Sequence, residues 1–84
     1  MWFVYILLCA DQSLYTGSTN DLEKRFLTHQ AGKGGKYTRS HKPLKLIYSE
    51  QYLTQSEALK REIEIKSWGR EKKIRMLKLV FFLT

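Results

Sequence analysis

Trp2-Phe3-Val4-Tyr5-Ile6-Leu7-Leu8-Cys9-Ala10-Asp11-Gln12-Ser13-Leu14-Tyr15-Thr16-Gly17 is the stretch whose reading decides the fold. Its first eight residues are aromatic, β-branched or otherwise apolar, and Ala-Asp-Gln-Ser interrupts them before a second short run of β-formers. That pattern predicts a β-hairpin. Tyr5 and Tyr15 are both odd-numbered, so in an antiparallel pair their side chains share a face only if the connecting loop holds an odd number of residues. A three-residue loop closed by a bulge meets that condition, with Gln12 in a turn where glycine would accept a positive φ more easily.

Helix signals follow the hairpin. Thr19, Asn20 and Asp21 are candidate N-caps, Leu22 and Phe26 form an i,i+4 apolar pair, and Gly32 is the stop. Residues 32 to 43 read as a flexible basic loop. A third strand is expected over Leu44 to Tyr52. Thr54-Gln55-Ser56-Glu57 is a capping box opening a second helix that runs to about Trp68, where Gly69 ends it. A third helix starts at Arg70 or Glu71, with Ile74, Leu77 and Phe81 as its buried stripe. The order ββαβαα offers too few strands for a doubly wound sheet and argues for an α+β domain with a small antiparallel sheet. Eighty-four residues suffice for one domain, residues 1 to 84, with a modest core.

Charge narrows the choice of partner. Fifteen Lys and Arg against eight Asp and Glu leave +7 on the chain, which favours a polyanion such as nucleic acid. Cys9 has no second cysteine to bond, which fits a reducing, cytoplasmic setting. The apolar run from Trp2 to Ala10 is too short to span a bilayer and lacks a preceding Lys or Arg, so no membrane segment is expected. The tail Leu79-Val80-Phe81-Phe82-Leu83 reads as packing rather than a membrane anchor.

Placed on helices at about 100° per residue, the polar residues sort into candidate chemistry. On the second helix, Ala58, Leu59, Ile63 and Ile65 define an apolar arc, and Glu62 falls inside it. A carboxylate there must meet a cation, a metal or a polar cleft, or else pair along the helix with Lys66. On the first helix, Arg25 and His29 flank the core stripe one turn apart, at the rim of the sheet. Arg25 can fork onto phosphate oxygens, and His29 can donate a hydrogen bond or move a proton near neutral pH. Lys33, Lys36, Arg39 and Lys42 make the basic loop a clasp for a nucleic-acid backbone. It lacks the GxxxxGK[ST] spacing, so no nucleotide triphosphate is expected. Zinc and acyl-transfer arrangements are absent from the sequence.

Five segments in this order resemble the GIY-YIG nuclease superfamily, in its small stand-alone bacterial form. They are Val4-Tyr5-Ile6, Tyr15-Thr16-Gly17, Asp21 to Arg25 with His29, Lys36-Tyr37-Thr38, and Ala58-Leu59-Lys60-Arg61-Glu62. The asparagine that some repair enzymes of the superfamily carry near the domain's end has no counterpart. The resemblance implies a three-stranded antiparallel sheet flanked by helices, and one-metal hydrolysis of DNA, or of RNA, leaving 5′-phosphate and 3′-hydroxyl ends. It implies Glu62 as the sole protein ligand of Mg²⁺ or Mn²⁺, and Tyr5 as the group assisting deprotonation of water. Tyr15 and His29 would hydrogen-bond around the scissile phosphate, Arg25 would stabilise its charge, and Tyr37 would join the basic loop in binding. Branched, damaged or single-stranded DNA in repair or recombination is the expected substrate, with a targeting partner or self-association supplying selectivity. The alternative is a non-catalytic nucleic-acid-binding module that keeps the fold.

Overall fold

Strand β1 (Trp2–Cys9) is buried along nearly its whole length because it occupies the middle of the sheet and is covered on both faces. Strand β2 (Leu14–Thr19) pairs antiparallel on one side of it and strand β3 (Pro43–Tyr52) on the other, giving the order β2-β1-β3. The computed structural model describes residues 1–33 and 41–79. Three helices complete this part of the chain, α1 (Leu22–Gln30), α2 (Gln55–Lys66) and α3 (Arg70–Leu77), so the α+β order ββαβαα read from the sequence is the observed one.

The hairpin closes as parity required. The Cys9 N–H bonds to the Ser13 carbonyl at 3.0 Å and the Gln12 N–H to the Cys9 carbonyl at 2.9 Å, leaving Ala10, Asp11 and Gln12 as the loop. Gln12 takes φ 72°, the left-handed bulge position. The pairing Tyr5↔Gly17 and Leu7↔Tyr15 then puts Tyr5, Tyr15 and the bare Cα of Gly17 on one face, and Val4, Ile6, Thr16 and Ser18 on the other.

Asp21 caps α1 by accepting the Lys24 N–H at 3.1 Å. At its far end the Lys33 N–H reaches the Thr28 carbonyl and the Gly32 N–H the His29 carbonyl, both at 3.0 Å, with Gly32 at φ 76°. This is a Schellman stop, which needs a left-handed residue where Gly32 stands. Thr54 caps α2 through the Glu57 N–H at 3.2 Å.

The two faces of β1 carry different loads. Val4 and Ile6 pack with Ala58, Ile65, Leu77 and Leu79 into the apolar core beneath α2 and α3. Tyr5 instead meets α1. Two expectations need correction on α2: Leu59 and Ile63 are 42% and 69% exposed, not part of the buried arc. Its contact face is the narrower line Ala58–Glu62–Ile65, each residue one turn from the next, so Glu62 lies on the buried stripe itself. Phe81 lies outside the described residues. Leu79, at the start of the apolar tail, packs in the core.

Candidate active site

The Tyr5 hydroxyl lies 2.8 Å from His29 Nε2, joining β1 to α1 across 24 residues of sequence. Tyr15 packs its ring edge on His29 with centroids 4.9 Å apart, and the Tyr5 and Tyr15 rings are 6.3 Å apart. The Arg25 guanidinium hydrogen-bonds toward both phenols. Arginine only donates, so the Tyr5 oxygen accepts from Arg25, which leaves the phenolic hydrogen available to His29. In the tautomer with its proton on Nδ1, His29 Nε2 is the acceptor of that hydrogen.

Burial sets the protonation states. It pushes the Tyr5 phenol up to about 12, against the Arg25 hydrogen bond and with help from the charges of Tyr15 and Glu62. Burial pushes His29 down to about 4, and the neighbouring Arg25 charge adds to the effect. Near neutral pH the pair is therefore a phenol and a neutral imidazole. His29 is 0% exposed, which corrects its placement at the rim, and Tyr5 is only 2% exposed. Arg25, by contrast, lines an open cleft of about 200 Å³ with Thr19, Asn20, Asp21, Lys24 and Thr28.

Gly17 explains how the phenol gets there. A Cβ on Gly17 would stand 2.5 Å from the Tyr5 oxygen and 3.1 Å from Cε1 of Tyr15, so the Tyr5 ring crosses β2 only because this position has no side chain. Sequence reading quoted Gly17 in a motif without this reason; the signal was its register opposite Tyr5.

Glu62 approaches the same edge strand from the opposite face. One carboxylate oxygen accepts the Ser18 hydroxyl at 2.6 Å, and the other meets Lys66 Nζ at 2.6 Å. The Lys66 pairing raised as an alternative for Glu62 is thus present together with a contact to the sheet. Ser18, which sequence reading passed over, follows Gly17, so the carboxylate and the phenol flank adjacent residues of β2 from its two sides. The structure gathers Tyr5, Tyr15, Arg25 and His29 on one face and sets Glu62 behind the strand, close enough for its charge to bear on Tyr5.

The donors suit a hard cation in type. Glu62 and the Ser18 hydroxyl are oxygen ligands of the kind Mg²⁺ and Mn²⁺ prefer. They are few: among the described residues no three His, Cys, Asp or Glu side chains gather into a metal site. An ion at Glu62 would draw its remaining ligands from water and substrate.

The basic clasp is only partly in view. Lys33 is exposed and lines a larger hollow on the outer flank of α1, about 440 Å³; Tyr5, Tyr15 and Glu62 line neither this hollow nor the smaller cleft. The smaller cleft is the functional candidate because it holds Arg25. Lys42 is exposed at the hairpin end of the sheet, where its carbonyl accepts the Ala10 N–H at 2.8 Å. Ala10 is five residue steps from Tyr5 along the line of β1, which puts Lys42 roughly 17 Å away. Lys36, Tyr37 and Arg39 lie outside the described residues.

A small antiparallel sheet with paired tyrosines on its first two strands and an Arg/His helix against them is the arrangement of a GIY-YIG domain. Residues 1–75 match the GIY-YIG catalytic domain, and the chain belongs to that family. It is similar to the UPF0213 protein of Staphylococcus aureus (strain N315), 53% identical over 76 residues that cover 90% of this chain and 93% of the relative. The UPF0213 protein of Staphylococcus haemolyticus (strain JCSC1435) is 49% identical over 75 residues, 89% and 92% of the two chains. In fold it is similar to the solution NMR structure of a UPF0213 protein from Bacillus halodurans, with a TM-score of 0.59 and 40% identity over 93% of this chain and 84% of that one. Family membership points to nuclease chemistry. Among the described residues no helix is long and apolar enough to cross a membrane.

Proposed function

We propose that the chain is a single-domain, metal-dependent endonuclease that hydrolyses phosphodiester bonds in DNA, acting in the cytoplasm on branched, damaged or single-stranded substrates in repair or recombination. The observation that carries this reading is the Tyr5–His29 hydrogen bond, built over Gly17 and flanked by Arg25, on the strand that Glu62 grips from behind.

The chemistry follows from the protonation states. With its phenol near 12, only roughly one Tyr5 in 10⁵ is ionised at pH 7, so a standing phenolate is a poor base. A relay is better suited. As water attacks phosphorus, the Tyr5 oxygen takes the water proton while its own hydrogen passes to His29 Nε2, so the proton ends on the imidazole. The P–O3′ bond breaks, and the departing 3′-oxygen is protonated from solvent. Arg25 faces the cleft and neutralises charge developing on the phosphoryl oxygens. Tyr15 holds the imidazole in place through its edge contact. Mg²⁺ or Mn²⁺ held by Glu62 would supply further charge neutralisation and a lowered pKa for attacking water.

The competing reading is a non-catalytic binding module for DNA or RNA, favoured by the Lys66 ammonium that sits on Glu62. Labelled DNA flaps incubated with Mg²⁺ or Mn²⁺ separate the two. The wild type should cut, and Glu62→Ala should fall to background while its DNA affinity, measured without metal, stays within about threefold. Equal background cleavage by both proteins on linear and branched substrates would remove the nuclease reading.

A further inference from the structure

The Glu62 carboxylate already holds a cation. Its side chain is 14% exposed and Lys66, four residues on, is 50% exposed, so the pair straddles the boundary between interior and solvent. A second ammonium stands nearby. Lys73 of α3 is half-buried, and its basicity is lowered first by that burial and then by the charge of Lys66. Among the described residues no carboxylate forms a salt bridge with Lys73. Around it, Arg70, Lys72, Arg75 and Lys78 face a lone acid, Glu71, so this end of the molecule concentrates much of the net charge.

The consequence is electrostatic. In the free protein, Glu62 compensates Lys66 and thereby softens the repulsion between the two lysines. With a divalent ion on Glu62, Lys66 would lose that carboxylate as its partner. A backbone phosphate is the anion a nuclease brings to replace it, and a charge-assisted hydrogen bond from the ammonium would hold it.

We propose that Lys66 is a resident counter-cation on Glu62 that passes to a nucleic-acid phosphate, shared with Lys73, when a divalent ion takes its place. This deepens the endonuclease reading and rests on it for the identity of the anion. Ion and nucleic acid then bind cooperatively, and the carboxylate is guarded against metal until substrate is present. The phosphate held by Lys66 and Lys73 neighbours the scissile one, which routes the strand across the α2–α3 elbow, a surface the basic-loop reading did not include.

The test is Mn²⁺ binding, followed by electron paramagnetic resonance of free Mn²⁺ with and without a short DNA flap. All proteins carry Tyr5→Phe so that the DNA stays intact. DNA should tighten Mn²⁺ at least about fivefold in the parent, and by linkage Mn²⁺ should tighten DNA equally. Lys66→Met should tighten Mn²⁺ without DNA about three- to tenfold and cut the DNA effect to less than about half the parent's, the remainder coming from substrate oxygens on the ion. Lys66→Arg should retain the coupling. Lys73→Met should weaken DNA binding while leaving Mn²⁺ binding without DNA within about twofold. The proposal is overturned if the parent binds no Mn²⁺ in either condition, if Lys66→Met binds it no more tightly, or if the DNA effect is undiminished by that substitution. These are binding readouts, so absent cleavage with intact coupling would remove the nuclease reading alone, and cleavage without coupling would remove this proposal alone.

Discussion

The two faces of strand β1 are built from alternate residues of one short segment and do different work. Val4 and Ile6 look toward α2 and α3 and join an apolar cluster with Ala58, Ile65, Leu77 and Leu79. Tyr5, one position along, looks toward α1 and meets His29, Tyr15 and Arg25. The first face is stabilised by excluding water from hydrocarbon. The second buries a phenol and an imidazole whose proton affinities are displaced in opposite senses from neutrality, an arrangement that costs stability and suits chemistry. A small domain can carry such a face because the other side of the same strand supplies the cohesion.

The largest expected effect separates the faces by stability. Ile6→Ala removes hydrocarbon from a 0% exposed site and should cost about 2 to 5 kcal/mol, enough to unfold much of a marginally stable domain. Urea melts would show it, and the fraction still folded should keep its specific cleavage rate. Equal losses of stability and of specific rate would erase the division.

A smaller stability effect with a larger functional one is expected from Gly17→Ala. The new methyl must displace the Tyr5 oxygen, so stability should fall by about 1 to 3 kcal/mol and single-turnover cleavage by at least about tenfold. A crystal structure of the variant should show the Tyr5–His29 contact opened; an unchanged contact with unchanged rate would contradict the role given to Gly17.

The smallest effect is a pH dependence of the α1 face alone. Unfolded His29 takes up a proton near 6.5, whereas folded His29 does so only near 4. Between those values the unfolded state binds more protons, so stability rises with pH and is lost as pH falls from about 6.5 toward 4. Urea midpoints across that window should drop for the wild type and drop less for His29→Gln. Parallel curves would show that His29 does not titrate as its burial implies.

These contrasts also mark what could be read without coordinates. The element order, the odd-length hairpin loop with Gln12 at positive φ, the Asp21 and Thr54 caps and the Gly32 stop were legible, because turn and cap chemistry is local. The odd parity of Tyr5 and Tyr15 was enough to place both phenols on one face. The rest depends on long-range neighbours. Hydropathy assigned Leu59 and Ile63 to the core of α2, but a helix buries only the line that a sheet reaches, and that line runs through Glu62. His29 read as a rim residue because polarity says nothing of a buried phenol waiting to bond it. Ser18 and Gly17 acquire meaning only from the register that sets them beside Glu62 and under Tyr5. The cluster in which Glu50 accepts from Arg61, Tyr48 and Tyr52, with Arg61 stacked on Trp68, was invisible for the same reason.

The central claim is that Tyr5 and Glu62, reaching strand β2 from opposite sides, serve one reaction centre. Single-turnover cleavage of a labelled DNA flap by Tyr5→Phe, Glu62→Gln and the double variant tests it most directly. Groups acting as a unit give strongly non-additive losses, so the double variant should be no more than about threefold slower than the slower single variant. Losses that multiply, or single variants that cut at the wild-type rate, would contradict a shared centre.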